Sequence, residues 1–393
     1  MTTVTPVYLD HNATTPVRPE VAEIINRHLG PAFGNPNSIH RFGRETRGAV
    51  EGARENAASL IGALSPEEIV FTSGGTESDN WALRGALLSA GGSGHIVTSA
   101  IEHPAVLGTC EVLEKTGVEV SYVKPSGKGR ISVDEIIAAI RPDTQIVSVM
   151  WANNEVGTVQ PISEIGAACR EREVLFHTDA VQAAGKVSID VEATCVDLLS
   201  VSGHKINASK GAGFLYIREG VHIEPIITGG GQERDLRSGT ENVPGIAGLG
   251  EACRLAQEGF AGAVEKTARL RDMLENEILE RIPDVVVNGD PDHRLPGTSN
   301  LGFLGAEGET MLIRLDLEGF AVSTGSACSS GSTEPSHVLL AMGLPKDAIR
   351  GSLRISLGWG NTEDDVRRLM EILPGAVERV RQMAPRTRAG SDN

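Results

Sequence analysis

The sequence predicts an α/β fold in which a mostly parallel sheet of seven strands carries helices on both faces. Short apolar runs rich in β-branched residues alternate with helical patterns, and that alternation is typical of doubly wound parallel sheets. Polar residues follow most of the runs, at the carboxyl edge where such sheets bind ligands. The runs predict strands at residues 69–73, 95–99, 118–123, 144–150, 174–178, 196–201 and 213–217.

The helical patterns extend beyond this sheet and indicate two domains. A large α/β domain is predicted over residues 15–255, and a smaller α+β domain over residues 1–14 and 256–384 carries the segment around Cys328. The polar residues 385–393 are predicted to form a disordered tail. Helices are predicted at residues 21–29, 44–64, 74–88, 162–172 and 263–282 and from residue 362 onward, with further strands at 285–287, 299–303 and 354–356.

Composition excludes several classes of function. The formal charge of −16 argues against a protein that binds nucleic acid directly or coats an anionic membrane, because both surfaces would repel it. No run approaches the roughly 18 apolar residues of a membrane span. The N-terminal residues lack the basic and apolar regions of a signal peptide. We therefore expect a cytoplasmic protein with neither a membrane nor a nucleic acid as its partner.

The five cysteines are widely spaced and contain no Cys-x-x-Cys pair. A zinc ribbon, a cluster site or a disulfide framework is therefore not expected, and no metal site is predicted. Cys169, Cys195 and Cys253 are predicted to be buried as small hydrophobic side chains. Cys328 differs, because the Ser/Gly-rich residues 323–333 around it have little to bury.

A lysine stands directly after one of the predicted strands. Residues 196–201 run into Ser202-Gly203-His204-Lys205, which places Lys205 at the mouth of the sheet beside a serine and a histidine. This is the context of a lysine that forms a Schiff base with a carbonyl compound. An ordinary solvated lysine in a βα loop is the alternative for this tetrapeptide alone.

A glycine-led helix start forms a candidate anion site. The strand at 69–73 is followed by Gly74, Gly75 and Thr76, where unpaired N–H groups and the helix dipole converge and Thr76 adds a hydroxyl group. The pattern matches neither a Walker loop nor the dinucleotide fingerprint. An ordinary βα turn explains the same residues about equally well.

An anion site, a lysine and a carboxylate at one edge are what pyridoxal 5'-phosphate (PLP) requires. Asp179 would keep the pyridine nitrogen protonated, and His103 would stack on the ring and move protons. A helix cap is the alternative for Asp179, and a capping or core role the alternative for His103. The predicted cofactor contacts are Gly75, Thr76, Ser202 and His204 to the phosphate, Asn154 and Gln182 to the ring hydroxyl, and Lys205 to the carbonyl carbon.

Ordered motifs along nearly the whole chain resemble the PLP-dependent cysteine desulfurases of the NifS and IscS type, in the class-V aminotransferase-like family. The matching motifs are Tyr8-Leu9-Asp10-His11-Asn12-Ala13-Thr14-Thr15, Phe71-Thr72-Ser73-Gly74-Gly75-Thr76-Glu77-Ser78, Glu102-His103-Pro104-Ala105-Val106, Asn153-Asn154-Glu155-Val156-Gly157, His177-Thr178-Asp179-Ala180-Val181-Gln182, Ser202-Gly203-His204-Lys205, Gly229-Gly230-Gly231-Gln232-Glu233-Arg234, Arg237-Ser238-Gly239-Thr240, Gly325-Ser326-Ala327-Cys328 and Arg354-Ile355-Ser356-Leu357-Gly358.

The resemblance implies a fold-type-I homodimer in which Thr240 reaches the phosphate of the neighbouring protomer's cofactor. It implies that Lys205, His103 and Cys328 are catalytic, and that Arg354 forks onto the α-carboxylate of the substrate, with Asn154 beside it. The implied reaction converts L-cysteine to L-alanine and leaves a persulfide on Cys328. That sulfur would pass to an acceptor protein, such as a scaffold for iron–sulfur assembly or a carrier in another thiolation pathway.

One departure and two other functions accompany this interpretation. The family commonly has an aromatic residue, a glycine and a proline before Lys210, where this chain has Ile206-Asn207-Ala208-Ser209. The other functions are a selenocysteine lyase or another PLP-dependent β-lyase on the same fold, and a non-catalytic scaffold for sulfur trafficking. Dependence on Cys328 separates the lyases, and a colourless protein would indicate the scaffold.

Overall fold

A computed structural model describes residues 5–324 and 335–383. Its strands are β1 (Val7–Tyr8), β2 (Ile69–Thr72), β3 (His95–Ser99), β4 (Glu119–Val123), β5 (Thr144–Ser148), β6 (Leu175–Asp179), β7 (Leu198–Ser202), β8 (Gly213–Ile217), β9 (Val285–Asn288), β10 (Thr298–Phe303), β11 (Phe320–Ala321) and β12 (Ser352–Ser356). Its helices are α1 (Pro19–Leu29), α2 (Arg41–Ile61), α3 (Gly75–Ser89), α4 (Pro104–Glu114), α5 (Val133–Ala139), α6 (Ile162–Arg170), α7 (Val243–Glu258), α8 (Phe260–Arg281), α9 (Gly308–Leu317), α10 (His337–Ala341), α11 (Lys346–Arg350) and α12 (Glu363–Met383).

Seven strands form the central sheet, in the spatial order β2-β8-β7-β6-β5-β3-β4. Strand β8 runs antiparallel to both of its neighbours, and the other paired strands run parallel. Because β2 and β7 both oppose β8, every strand of this sheet except β8 points the same way. The predicted α/β fold with a mostly parallel seven-stranded sheet is therefore confirmed.

Helices cover both faces of the sheet, which explains why its strands read as continuous apolar runs. On one face, α1, α2, α6 and α7 pack over a core that includes Val50, Phe176 and Leu249. On the other face, α3 contributes Trp81 and α4 contributes Val106 to a second core. Because helices cover both faces, solvent reaches the sheet only where its strands end.

Helix α2 shows how local sequence sets the bounds of an element. His40 precedes the helix, and its Nδ1 accepts the backbone N–H of Gly43 at 3.2 Å. Because this cap replaces a missing intrahelical bond, the helix begins at Arg41, earlier than the predicted residue 44. The helix ends at Ile61, and the next residue, Gly62, has a φ of +69°, the left-handed conformation that glycine adopts without strain.

Both ends of the chain contribute to a second, smaller layer. The antiparallel sheet β12-β10-β9 packs with α8, α9 and α12 over a core that includes Leu270, Phe303 and Leu369. Strand β1 pairs in parallel with β11, so the first described strand joins residues near position 320. The domain boundaries given above stay predictions. Within residues 5–324 and 335–383, no helix combines the length and apolar character needed to cross a bilayer.

Candidate active site

The carboxyl edge of the central sheet gathers most of the predicted site residues. Asp179 is the last residue of β6 and Ser202 the last of the neighbouring β7. His103 follows β3 and directly precedes α4. Lys205 ends a 3₁₀ turn, Gly203–Lys205, that follows β7. A lysine, a carboxylate and an imidazole converge because parallel strands deliver their ends to one place.

The backbone of the N-terminal segment holds the Lys205 amine. Its Nζ donates to the carbonyl oxygens of Asn12, at 2.5 Å, and Ala13, at 2.8 Å. The Asn12 oxygen also accepts from Nε2 of Gln182 at 2.9 Å. Sequence reasoning assigns no role to Asn12, although it lies in a matching motif. A contact across 193 residues depends on tertiary packing, which no local pattern reveals.

Asp179 is a buried carboxyl group, with 5% of its surface exposed. Its Oδ1 accepts the backbone N–H of Val181 at 2.8 Å. Burial raises the pKa of Asp179, whereas the nearby His103 and Lys205 act to lower that pKa. A nearby cation stabilises the charged form of a buried carboxyl group, and a protonated ring nitrogen would be such a cation.

His103 caps α4 and is neutral at pH 7. Its Nδ1 accepts the backbone N–H of Ala105 at 3.1 Å, so the neutral ring carries its proton on Nε2. Burial lowers the pKa of His103, Asp179 opposes that shift, and Lys205 adds to it. His103 lines a cavity of about 320 Å³ together with Thr76. His103 and the predicted anion site therefore border a common space.

The anion site is predicted at the start of α3. The first N–H groups of a helix have no intrahelical partners. A Cβ atom on Gly75 would lie 2.7 Å from Cγ2 of Val181 and 3.6 Å from Cβ of Ser202, so the absence of a side chain lets these N–H groups approach the end of β7. Thr76 is exposed and Ser202 is buried. Amide groups, a helix dipole and two hydroxyl groups together suit a phosphate.

Three further predicted residues surround this centre. Nδ1 of His204 lies 3.1 Å from Oγ1 of Thr14. Burial, followed by the charge of Lys205, lowers the pKa of His204 to about 4, so this ring is neutral as well. Gln182 is buried and bonds to Asn12 as described. The carbonyl oxygen of Asn154 accepts from Nδ2 of Asn12 at 3.1 Å, which draws Asn154 toward the same segment.

Arg354 is almost completely buried, at 1% exposure. Its Nη2 donates to Oδ1 of Asp10 at 2.7 Å, and its Nη1 donates to the carbonyl oxygen of Asn154 at 3.0 Å. Asp10 is a partner that the sequence interpretation missed. A guanidinium has five N–H donors, and Nε of Arg354 has no hydrogen-bond partner among the described residues. The group therefore retains donors for a substrate carboxylate.

Among the described residues, one predicted contact, Thr240, is not brought to this centre. Thr240 is exposed and lines a different cavity, with Ser73 and Arg237, and Lys205 does not border it. Cys328 lies outside the described residues. The chain before it passes Arg354, because the backbone N–H of Ser323 donates to the Arg354 carbonyl oxygen at 3.1 Å. The described residues that lead toward Cys328 therefore pair with the backbone of the residue predicted to bind the substrate carboxylate.

Burial makes three of the other cysteines poor nucleophiles. Cys110, Cys169 and Cys253 are buried, and burial raises the pKa of each thiol to about 12. Only the thiolate attacks, so these sulfurs are unreactive at neutral pH. The expectation that Cys195 is buried is wrong in degree. It is partly exposed, in a turn with a φ of +57°.

The raised pKa of the buried Glu102 predicts a measurable effect of pH on stability. Glu102 is 1% exposed, its Oε2 accepts the Met150 N–H at 2.9 Å, and burial raises its pKa to about 8. The folded state releases the Glu102 proton at a higher pH than the unfolded state does. The stabilisation that protonated Glu102 provides is therefore full below about pH 4.5 and is lost as the pH rises toward 8. Relative to Glu102→Gln, the wild type should lose roughly 1 kcal/mol of unfolding free energy per pH unit across this window.

Urea unfolding of both proteins at pH 5.5, 6.5 and 7.5 measures this difference. The exposed Glu111 lies nine residues further along the chain, on α4, and Glu111→Gln serves as the matched control that should follow the wild-type pH profile. Parallel profiles for the wild type and Glu102→Gln would show that the folded protein does not hold Glu102 protonated.

Comparison with known proteins agrees with this geometry. The family model for aminotransferase class-V matches residues 7–369. A cysteine desulfurase of Trichormus azollae is 50% identical over 379 residues, covering 96% of this chain and 94% of the relative. A cysteine desulfurase IscS of Methanosarcina thermophila is 50% identical over 382 residues, covering 97% and 94%. A solved NifS-like protein, 38% identical, matches with a TM-score of 0.90 over 95% of this chain and 100% of that chain. The chain therefore belongs to the class-V aminotransferase family and, within it, to the cysteine desulfurases of the NifS and IscS type.

Proposed function

We propose that this chain removes sulfur from L-cysteine with PLP bound at the carboxyl edge of the central sheet. The observation that carries the proposal is the convergence of Lys205, Asp179 and His103 at the ends of neighbouring strands. When bound, PLP supplies an electron sink for the electrons released at the substrate Cα. The residues present fit it, because a buried carboxyl group faces a lysine and a helix start lies beside Ser202.

Each residue has a separate role in this proposal. Lys205 anchors the cofactor covalently and moves the Cα proton of the substrate, and its contacts to Asn12 and Ala13 orient the amine. Asp179 pairs with the ring nitrogen, and Arg354 with Asn154 binds the substrate carboxylate. The remaining contacts are Gly75, Thr76, Ser202 and His204 to the phosphate, Gln182 and Asn154 to the ring hydroxyl, and Thr240 of a second copy to the phosphate.

The sulfur leaves through Cys328. Its thiolate attacks the substrate sulfur, an S–S bond forms, and the Cβ–S bond breaks with its electron pair kept by the substrate carbon. One proton on that carbon completes L-alanine, so L-cysteine and the thiol become L-alanine and a persulfide. For His103 to accept the thiol proton, its ring must adopt the tautomer with a free Nε2 lone pair, which gives up the hydrogen bond from Ala105.

The partners follow from this reaction. A persulfide is a reactive carrier, so its sulfur passes to an acceptor protein, such as a scaffold for iron–sulfur assembly or a carrier for another thiolation pathway. A homodimer would bring Thr240 of one copy to the phosphate held by the other, which accounts for its place in a different cavity from Lys205. The cytoplasmic location predicted from the sequence stays a prediction.

The test is the visible spectrum of the purified protein before and after adding L-cysteine, with alanine and sulfide assayed in parallel. A yellow protein whose absorption band shifts on cysteine, and which forms alanine and persulfide sulfur in equal amounts, is the expected result. L-Serine, which lacks the sulfur, is the matched control and should give no alanine. A protein that stays colourless and inert with added PLP would refute the proposal. A yellow protein active only on selenocysteine would show that selenocysteine, and not cysteine, is the substrate.

A further inference from the structure

A second cavity, of about 350 Å³, lies between α7, α8 and the segment that contains Asn12. In the described part of the chain, Lys205 is the one residue with a proposed cofactor or substrate contact that also lines it. Asp179, His103, Gly75 and Arg354 do not line it. The cavity therefore adjoins the candidate active site at Lys205 and at the Asn12 segment that holds its amine, and it shares none of the other proposed contact residues.

Positive charge collects around this cavity. Arg18, Lys186 and Lys266 line it together with Lys205, and no described lining residue carries a carboxylate. The nearest acidic partner is Glu20, 3.6 Å from Arg18 and half exposed to solvent. Three of these side chains, Arg18, Lys186 and Lys266, have no contact with cofactor or substrate in the proposed function, although the chain as a whole carries a net charge of −16. Like charges gathered in a half-buried space repel one another, and a bound anion would relieve that repulsion.

Two buried donors or acceptors at this cavity lack partners. Nδ1 of His11 and Nε of Arg18 have no hydrogen-bond partner among the described residues, and His11 is only 4% exposed. Buried polar atoms are normally satisfied, so both atoms call for an explanation. The Arg18 guanidinium also lies 4.6 Å from the centre of the Trp359 ring, which leaves its edge available for hydrogen bonding.

Much of the remaining wall is apolar. Ala252, Leu255 and Ala256 of α7 and Ala263 and Val264 of α8 line the cavity. A volume near 350 Å³ with apolar walls and a few polar groups is typical of a site for a small organic ligand. A hydrated inorganic ion would leave these walls uncovered.

We propose that this cavity is a second ligand site that binds a small organic anion, a carboxylate on an aromatic or branched aliphatic frame. The carboxylate balances Arg18 and Lys186, and the apolar frame packs against α7 and α8. Lys186 agrees with this assignment, because burial and the charge of Lys205 lower its pKa to about 7 and a bound anion would restore its charge. The ligand would also touch Asn12, whose carbonyl oxygen holds Lys205.

Titration calorimetry of the full-length holoenzyme with benzoate tests the site, with benzamide as the uncharged probe of the same shape and inorganic phosphate as an anion without an apolar frame. Benzoate should bind once per chain, and the other two probes at least about tenfold more weakly. The measurement is repeated with saturating L-alanine, which occupies the catalytic centre under the proposed function. Benzoate binding at the second site should be unaffected by it.

Two variants locate the binding. Ala263→Phe fills the cavity from α8, and it should abolish benzoate binding without changing the visible spectrum. Arg18→Gln removes one cation and should weaken binding at least about tenfold, as expected for one charge-assisted hydrogen bond. The melting temperature of each variant shows that it is folded, and Arg18→Gln keeps the test decisive if Ala263→Phe does not fold.

Four outcomes would overturn the proposal. These are no benzoate binding to the wild type, equal binding of benzoate and benzamide, displacement of benzoate by L-alanine, and full benzoate binding by both variants. Displacement by L-alanine would assign the anion to the candidate active site. None of these results bears on whether L-cysteine is desulfurised, so the two proposals fail separately.

Discussion

Lys205→Ala should lower the rate of alanine formation from L-cysteine by at least about a thousandfold. The reason is positional as well as chemical. The amine is oriented by the carbonyl oxygens of Asn12 and Ala13 and lies at the edge shared with Asp179 and His103. Removing it takes away both the covalent anchor of the cofactor and the group that moves the Cα proton.

The measurement has two readouts. The first is the initial rate of alanine formation with excess PLP, for the wild type and the variant. The second is borohydride reduction of the wild type followed by peptide mapping, which should place the pyridoxyl mass on Lys205. Lys210→Ala, which removes an exposed lysine from the same loop, is the matched control and should keep the wild-type rate.

Lys186 is the alternative candidate for the lysine that binds the cofactor. Its amine lies 3.0 Å from Oε1 of Gln182 and has a pKa lowered to about 7. If the pyridoxyl mass were found on Lys186, or if Lys205→Ala kept more than a tenth of the wild-type rate, the assignment of Lys205 would be wrong.

Cys328→Ala should abolish persulfide formation and reduce alanine formation by at least about a thousandfold. Three of the four described cysteines offer no good substitute, since burial raises the pKa of the Cys110, Cys169 and Cys253 thiols to about 12. The Ser/Gly-rich sequence around Cys328 and the family motif Gly325-Ser326-Ala327-Cys328 support the assignment. Cofactor binding and its visible spectrum should not change.

Cys195 provides the matched control, because it is the one described cysteine that is partly exposed. Cys195→Ala should retain wild-type turnover. Mass spectrometry of the wild type after a single turnover should place one additional sulfur on Cys328. If Cys328→Ala released sulfur from cysteine at the wild-type rate, the persulfide mechanism would be wrong and a direct β-lyase reaction would be favoured.

Much of the fold was predictable because its signals are local. The strands at the centre of the sheet are continuous apolar runs, and helical patterns lie between several of them. That alternation indicates a mostly parallel sheet covered on both faces. The positions of Lys205 after β7 and of Gly75 at the start of α3 follow from the same runs. Each of these conclusions uses residues that are neighbours in sequence.

The carboxyl edge itself was also predictable, by a rule about topology. Parallel strands must end at one edge, so Asp179 and Lys205 were expected together once their strands were recognised. Which strands are adjacent was not available from the sequence. The pairing of β6 with β7, which places Asp179 opposite Ser200 and so near the turn that carries Lys205, is a property of the assembled sheet.

The sequence by itself determined the fold class, the strand ends that carry the site and the residue types able to hold a phosphate and a carbonyl. Only the tertiary structure decided what surrounds them. The bond from Lys205 to Asn12 spans 193 residues and that from Arg354 to Asp10 spans 344. The cavity lined by Arg18 and Lys186 likewise exists only where α7 and α8 meet the N-terminal segment. The physical reason is that such contacts depend on how distant surfaces pack, and local propensity carries no information about that packing.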